Sequence, residues 1–162
     1  MSIWTTIATE RRRLANELAT LTDEQWMSPS ACDGWTVEDV AAHLIMPFEV
    51  STPRFGLAML RNRGNFDRVM IDLTAKVRAK NSRDEIIAKL RSNAESQWTP
   101  PGGGPEGPLG EIVVHGQDIR VALGLDHNIP TETIELAITG MNDEALRVDY
   151  ARRIGVPVPS NR

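Results

Sequence analysis

The sequence contains a single cysteine, Cys32, among its 162 residues, and it has no long apolar run. One cysteine excludes an intrachain disulfide and favours a reducing compartment. No run approaches the roughly 20 apolar residues that span a bilayer, and the chain does not open with the basic and apolar segments of a signal peptide. We therefore expect a soluble cytoplasmic protein that has no membrane partner.

Basic charge is also scarce, since the formal net charge is -4 and the densest basic run is only Arg11-Arg12-Arg13. Nucleic-acid binding requires a basic face that neutralises phosphates, so we expect no nucleic-acid partner. A chain of this length can bury a substantial core without disulfides. We predict a single domain over residues 1–162.

Apolar residues recur at helical spacing along most of the chain, and no run of alternating period two stands out. Capping boxes are indicated where Thr36 is followed by Asp39 and where Ser82 is followed by Glu85. Pro47 should kink the helix that starts at Thr36 or begin a new segment. The predicted helices cover residues 3–20, 36 to about 47, 53–62, 66–81, 82–98, 109–123 and 131–153. The class is all-α, most simply a helical bundle.

A segment rich in proline and glycine, TPPGGGPEGP, runs from Thr99 to Pro108. It holds four prolines and four glycines, so it cannot form regular structure. We predict an ordered crossover loop or a mobile lid between two helices. The helix after it should end at Gly124, a plausible position for a left-handed cap.

The predicted helix 109–123 carries polar residues within its apolar stripe. Glu111, His115 and Asp118 are spaced three, four and seven residues apart, so they share one side of the helix. Apolar side chains flank them on both edges: Ile112, Ile119, Val114 and Val121. The opposite side, which we predict to face solvent, carries Gly110, Gly116, Gln117 and Arg120. Two carboxylates and an imidazole should therefore point toward the core, where they need partners.

His43 also faces inward on its predicted helix, so the bundle can place it beside Glu111 and His115. Two imidazoles and one carboxylate are a recognised ligand set for a divalent metal, and side chains one helical turn apart can reach one ion. Asp118 would then accept the second ring N–H of His115 and fix its tautomer. The alternative is a hydrogen-bonded polar network without metal, in which Asp118 pairs with Arg120 or a neighbouring helix.

Several other residues allow a functional and a structural interpretation. Arg11, the one charge on the inner stripe of the first helix, extends its charged end to solvent, pairs with a carboxylate or binds an acidic ligand inside the bundle. Cys32 is a small loop residue or a reactive thiol. His127 is expected to be solvated. Three tryptophans are interpreted as core anchors rather than a ligand cage, namely Trp26, Trp35 and Trp98.

Two segments together, DEQWMSPSACDGWTVEDVAAHL and GEIVVHGQDIRVALGL, resemble the metal-binding domain of the mycothiol-dependent maleylpyruvate isomerase family. The resemblance runs from Trp4 to about Pro130. It implies a DinB-like four-helix bundle with a long crossover loop and additional short or C-terminal helices. It also implies that the family's three metal ligands, which usually hold zinc, correspond to His43, Glu111 and His115, with Asp118 beside the site.

The resemblance further implies a chemistry. A three-ligand zinc leaves one coordination position open and deprotonates a thiol that binds there. The cosubstrate would be mycothiol or a related low-molecular-weight thiol, and its partner would be an electrophile in a transferase or isomerase-like reaction. Arg11 and the segment 99–108 are candidates for contacts to the polar parts of the thiol. The family's additional C-terminal domain is expected to be absent, since the residues after Pro130 suffice only for a terminal helix, so the resemblance is not extended to maleylpyruvate itself.

Two other functions remain open at this point. A water molecule in the open position would give a hydrolase with Asp118 or Glu106 as the base. A small-ligand carrier or a binding protein would use the metal or the polar core only to shape its pocket. Iron and nickel accept similar ligand sets, and a homodimer is a reasonable expectation for an exposed bundle face.

Overall fold

Helices carry almost all of the fold in the computed structural model, which describes residues 2–139 together with residues 144, 148 and 151. Within these residues no β-strand forms, and a single isolated bridge joins Pro29 to Thr36. The all-α prediction is confirmed. In chain order the helices are α1 (Ile3–Leu18), α2 (Asp23–Met27), α3 (Val37–Glu49), α4 (Thr52–Arg61), α5 (Phe66–Lys80), α6 (Arg83–Ser92), α7 (Glu106–Leu123) and α8 (Thr131–Thr139).

Both predicted capping boxes are present at the starts of α3 and α6. The Thr36 side chain accepts from the backbone N–H of Asp39, and the Asp39 carboxylate accepts from the backbone N–H of Thr36. Ser82 and Glu85 make the same reciprocal pair. Each cap satisfies backbone donors that the first helical turn leaves without a partner, a contribution of about 1 kcal/mol. The first cap fixes where α3 begins and therefore where His43 stands on it.

Four helices form the bundle, because α1 packs against α6 and α7 while α3 packs against the same two helices from the other side. α5 covers the outer face of α3, and α8 lies on α7. The centre is a continuous apolar cluster whose fully buried members include Ile7, Leu14, Ile45, Ile86, Leu109 and Ile119. This arrangement sets α3 and α7 side by side, as the bundle prediction required. None of the helices among the described residues is both long and apolar enough to traverse a bilayer.

The crossover between α6 and α7 differs from its prediction at both ends. α6 ends at Ser92 rather than near Trp98, and the Trp98 side chain is 40% exposed, so its assignment as a core anchor is wrong. α7 begins at Glu106 and takes Pro108 into its first turn. A proline is tolerated there because the first backbone donors of a helix have no intrahelical acceptor. Pro47 likewise lies inside α3, two residues before that helix ends at Glu49, and so does not begin a new segment.

The predicted solvent face of α7 is buried, which corrects the sequence interpretation. Four residues expected at the surface lie in the interior: Gly110, Gly116, Gln117 and Arg120. α7 packs against α1, α3 and α8, so it has contacts on more than one side. Arg120 is fully buried and is balanced by two α1 carboxylates, since its Nε donates to Glu17 Oε2 at 2.8 Å and its Nη1 lies 3.4 Å from Glu10 Oε2. The alternative pairing of Asp118 with Arg120 is therefore wrong.

The C-terminal prediction is only partly covered by the structure. α8 begins at Thr131 as expected, and most of the predicted extension from Thr139 toward Arg153 lies outside the described residues. A homodimer stays a prediction.

Candidate metal centre

Three side chains from two helices converge where α3 and α7 pack together. His43 on α3 places its Nε2 3.0 Å from Glu111 Oε2 on α7. His115, one turn further along α7, places its Nε2 3.5 Å from the same oxygen. One nitrogen of each ring and one carboxylate oxygen all lie within 4.8 Å of one another. The helical-face argument selected these three residues, and the fold brings them together.

The two imidazole rings are held from behind through their Nδ1 atoms. His115 Nδ1 lies 3.0 Å from Asp118 Oδ2, and His43 Nδ1 lies 3.3 Å from Thr74 Oγ1 on α5. An ionised carboxylate only accepts, so the contact with Asp118 favours the tautomer of His115 that carries its proton on Nδ1. The lone pair of His115 Nε2 is then directed toward Glu111, as metal ligation requires.

The indole of Trp35 packs against both rings. Its centroid is 5.1 Å from that of His43 in an edge-to-face arrangement and 6.4 Å from that of His115 in a stacked one. The two imidazoles are themselves 4.9 Å apart and nearly perpendicular. The rotamers of both histidines are therefore limited by packing as well as by hydrogen bonds. Trp26 is buried as predicted, whereas Trp35 is a partly buried wall of the candidate site.

The charge of Glu111 is strongly favoured by its neighbours. Burial by itself raises the pKa of this carboxyl, but the hydrogen bond from His43 and the charges of His115 and His43 outweigh burial and lower the pKa to about 2. The side chain nonetheless keeps 55% of its surface exposed. Glu111 is thus an ionised carboxylate at the edge of the cluster, which is the form that binds a cation.

A cavity of about 310 Å³ opens beside this cluster and includes His43 and Glu111 in its wall. The rest of its lining is mostly apolar and comes from α3, α4, α5, α7 and the segment that joins α6 to α7, with single residues of α1 and α6. His115 and Asp118 lie behind Glu111 and do not line it. The cluster is therefore reached through an apolar pocket.

A sequence model of the family described as the mycothiol maleylpyruvate isomerase N-terminal domain matches residues 7–99, more than half of the chain. The chain belongs to this family. No curated protein and no solved structure matches the chain. The resemblance noted in the two sequence segments is confirmed for the first segment, which lies within the match.

The family match begins within α1, covers α2 to α6 and ends before α7, so it includes His43 but neither Glu111 nor His115. The case for these two residues rests on geometry. Since α7 places both side chains against His43, the three-residue set suggested by the family resemblance is also a spatial set in this member.

Arg11 lines the same cavity but has several partners within the chain. Its Nη1 donates to the carbonyl oxygens of Asn93, Ala94 and Ser96 at 3.1, 3.1 and 2.8 Å. Its guanidinium carbon lies 5.4 Å from the ring centroid of Phe48, and burial lowers its pKa. Arg11 therefore fixes the start of the segment that leads to Trp98. Its predicted contact with the thiol cosubstrate stays a prediction.

Cys32 lies much closer to the candidate site than the sequence indicated. A ligand atom of Cys32, one of His115 and one of Asp118 lie within 4.8 Å of one another, a second group that shares His115 with the first. The loop that carries Cys32 is tied to α7 by a hydrogen bond from the backbone N–H of Ala31 to the carbonyl oxygen of Asp118. His127 is exposed, and its Nδ1 lies 3.2 Å from the Leu125 carbonyl oxygen, as expected for a residue apart from the site.

Proposed function

We propose that this family member is a zinc-dependent enzyme that uses mycothiol or a related low-molecular-weight thiol, with His43, Glu111 and His115 as the metal ligands. The reaction class is transfer of the thiol to an electrophile, or isomerisation assisted by the thiol. The observation that carries the proposal is the convergence of two imidazole Nε2 atoms on one ionised carboxylate at the edge of an apolar cavity.

The donor set fits the proposed ion. Imidazole nitrogen and carboxylate oxygen are ordinary ligands of zinc, and catalytic zinc sites commonly have three protein ligands and one open position. The ligand atoms lie close enough to approach a single ion with small side-chain movements. A zinc ion bound there supplies one effect, which is to lower the pKa of a coordinated thiol so that it is a nucleophile at neutral pH.

The chain's own residues orient the ligands. Thr74 and Asp118 hold the two rings through Nδ1, and Trp35 packs against both rings. Glu111 faces the cavity, so a thiol and its partner would arrive from that side.

The metal content of the purified protein, measured by elemental analysis without a histidine tag, tests the first step. We expect about one zinc ion per chain in the wild-type protein, and we expect His43→Ala and His115→Ala to lose that zinc. The matched control is His127→Ala, which removes the exposed third histidine and should keep the metal. No metal uptake after chelation and reconstitution would contradict the proposal and favour a hydrogen-bonded network.

Thiol binding tests the second step. Mycothiol added to the cobalt-substituted protein should change the visible absorption of the metal, because sulfur would enter the coordination sphere. An unchanged spectrum would contradict the use of a thiol. Turnover of ester or amide substrates without added thiol would instead support the hydrolase, with Asp118 or Glu106 as the base. Loss of stability in His43→Ala, with no turnover detectable in either protein, would support a binding protein.

A further inference from the structure

We propose that the second substrate is an uncharged, apolar electrophile of about the size of a substituted benzene ring, bound in the cavity beside Glu111. This inference rests on the proposed function, because it names the partner of the thiol. Three features of the cavity support it: the apolar side chains of its lining, the few charges in that lining and the exposed aromatic side chains at its edge.

The walls of the cavity are built from large apolar side chains of different elements. α3 supplies Met46 and Pro47, Val50 follows directly after that helix, and the start of α5 supplies Phe66 and Met70. Phe55 of α4 completes this side, with its ring 6.3 Å from that of Phe66 in an edge-to-face contact. A volume of about 310 Å³ holds a single substituted ring, and such walls favour a ligand that loses little hydration on entry.

The charges in the lining give an anionic ligand little support. Apart from Arg11, the ionisable residues of the lining, as far as the structure describes the chain, are His43 and Glu111, which the proposed function assigns to the metal. Arg11 already donates through Nη1 to three backbone carbonyls in the segment just after α6 and lies over the ring of Phe48. A carboxylate in this cavity would lose its hydration among apolar walls, and in the metal-free protein it would also lie near the negative charge of Glu111.

Two aromatic residues of the lining remain substantially exposed. Phe66 is 55% exposed at the first position of α5, and Trp98 is 40% exposed on the crossover segment. A flat apolar ligand would cover parts of both side chains and so gain burial that the protein alone does not achieve.

An activated aryl chloride illustrates the reaction. The thiolate sulfur attacks the ring carbon that bears chlorine, a C–S bond forms and the C–Cl bond breaks. Chloride leaves with the bonding electron pair, and the thiol proton is released to solvent. No oxidant or reductant is needed, because the thiol and the aryl chloride supply all the atoms and electrons of the products.

Binding to the metal-free protein tests the cavity separately from the metal. Calorimetry would compare 1,3-dinitrobenzene with 3,5-dinitrobenzoate, which differ by one carboxylate. We expect the neutral ring to bind at least about tenfold more tightly, and Phe66→Ala to weaken that binding about tenfold. The matched control is Ile71→Ala, because Ile71 is also on α5 and is 54% exposed but does not line the cavity.

Equal or tighter binding of the benzoate would overturn the inference. If that binding were lost in Arg11→Met, Arg11 would instead be a carboxylate site. Equal weakening by Ile71→Ala would also overturn it, because the effect would then not be specific to the cavity.

Turnover of 1-chloro-2,4-dinitrobenzene and of 4-chloro-3,5-dinitrobenzoate by the zinc-loaded protein with mycothiol gives the second readout. We expect at least about tenfold higher kcat/KM for the neutral compound. Failure of zinc or thiol binding, with the neutral preference intact in the metal-free protein, would contradict the proposed function and support the ligand class of the cavity. Normal zinc and thiol binding without a preference for the neutral compound would support the proposed function and contradict the inferred ligand class.

Discussion

Asp118 occupies a different position from the three proposed ligands, because it contacts the far side of the His115 ring and is almost fully buried. A carboxylate in this place raises the basicity of the ligating nitrogen and fixes the orientation of the ring. Asp118 does not line the cavity, which argues against its role as the base of a hydrolase. We interpret Asp118 as a residue that positions His115.

Substitution of Asp118 tests this role. Asp118→Asn removes the charge that supports the Nδ1 proton of His115, so we expect zinc affinity to fall about 10- to 100-fold. Competition with a chromophoric chelator measures the change. Asp126→Asn, on an exposed acidic residue, is the control and should leave the affinity as it is. An unchanged affinity in Asp118→Asn would contradict this role and show that the charge of Asp118 is not needed to position the His115 ring.

Substitution of Cys32 tests which of two side-chain groups binds the metal. Both groups contain His115: one adds His43 and Glu111, and the other adds Cys32 and Asp118. If zinc is bound by His43, Glu111 and His115, then Cys32→Ser should keep near one zinc per chain. Glu111→Gln should weaken binding, because it removes the negative ligand. Elemental analysis after dialysis measures both variants. Loss of zinc in Cys32→Ser but not in Glu111→Gln would assign the ion to Cys32, His115 and Asp118.

The sequence predicted the proposed ligands because each is a polar residue on an apolar helical face, which is a periodic signal. The same reasoning would have found Thr74, which lies between the buried residues Leu73 and Val77 of α5. Cys32 and Trp35 could not be found in this way. Both lie in a loop, where spacing along the chain does not indicate direction, and their contacts depend on how that loop packs on α7.

At the scale of the helix, α7 is unusual because charged and polar residues occupy two buried regions. One region contains the candidate metal centre, and the other contains Arg120 between Glu10 and Glu17 of α1. The amphipathic pattern could not predict the second region, because a buried arginine resembles a solvent residue until its partners on another helix are known. That is why the predicted solvent face of α7 is wrong.

Removal of the Arg120 charge should destabilise the bundle strongly. Arg120→Met removes the buried partner of Glu10 and leaves Glu17 paired only with the partly exposed Arg13, so we expect a loss of about 3–5 kcal/mol in the free energy of unfolding. Denaturant titration measures it. The matched control is Arg12→Met on α1, whose exposed pair with Glu95 should contribute less than about 1 kcal/mol. A loss of similar size in both variants would contradict a special role for the buried network.

The end of α3 is held by a carboxylate that responds to pH. Glu49 accepts from Lys80 of α5 and lies 2.6 Å from Lys89 of α6, and these hydrogen bonds lower the pKa of Glu49 below its ordinary 4.5. Because the folded pKa lies below the unfolded one, the stabilisation is fully present above about pH 4.5. It is lost as the pH falls through the lower folded value.

Glu49→Gln should therefore cost about 1 kcal/mol at pH 7, where the wild-type carboxylate is ionised, and progressively less below pH 4.5. Denaturant titrations of both proteins across pH 3–7 measure the difference. A cost that does not change with pH would show that packing at this position, rather than the ionised carboxylate, provides the stabilisation.

For the molecule as a whole, the ring formed by α1, α6, α3 and α7 follows from apolar periodicity and caps, which is why the sequence predicts it. The crossover from α6 to α7 does not follow, because its backbone is held by long-range contacts such as those of Arg11 with the carbonyl oxygens of Ala94 and Ser96. The proposed metal would also affect the fold as a whole. It would join α3 to α7 across a chain separation that includes three other helices.

A ligand that binds only the folded state stabilises it by mass action, so zinc should raise the melting temperature. At free zinc 100 times the dissociation constant the gain is about 2.7 kcal/mol, which for a chain of this length corresponds to roughly 5–10 °C. Differential scanning calorimetry should show this rise for the wild type and for His127→Ala, and no rise for His43→Ala. An equal rise in His43→Ala would mean that the stabilising ion does not bridge α3 and α7, and the assignment of His43 as a ligand would be wrong.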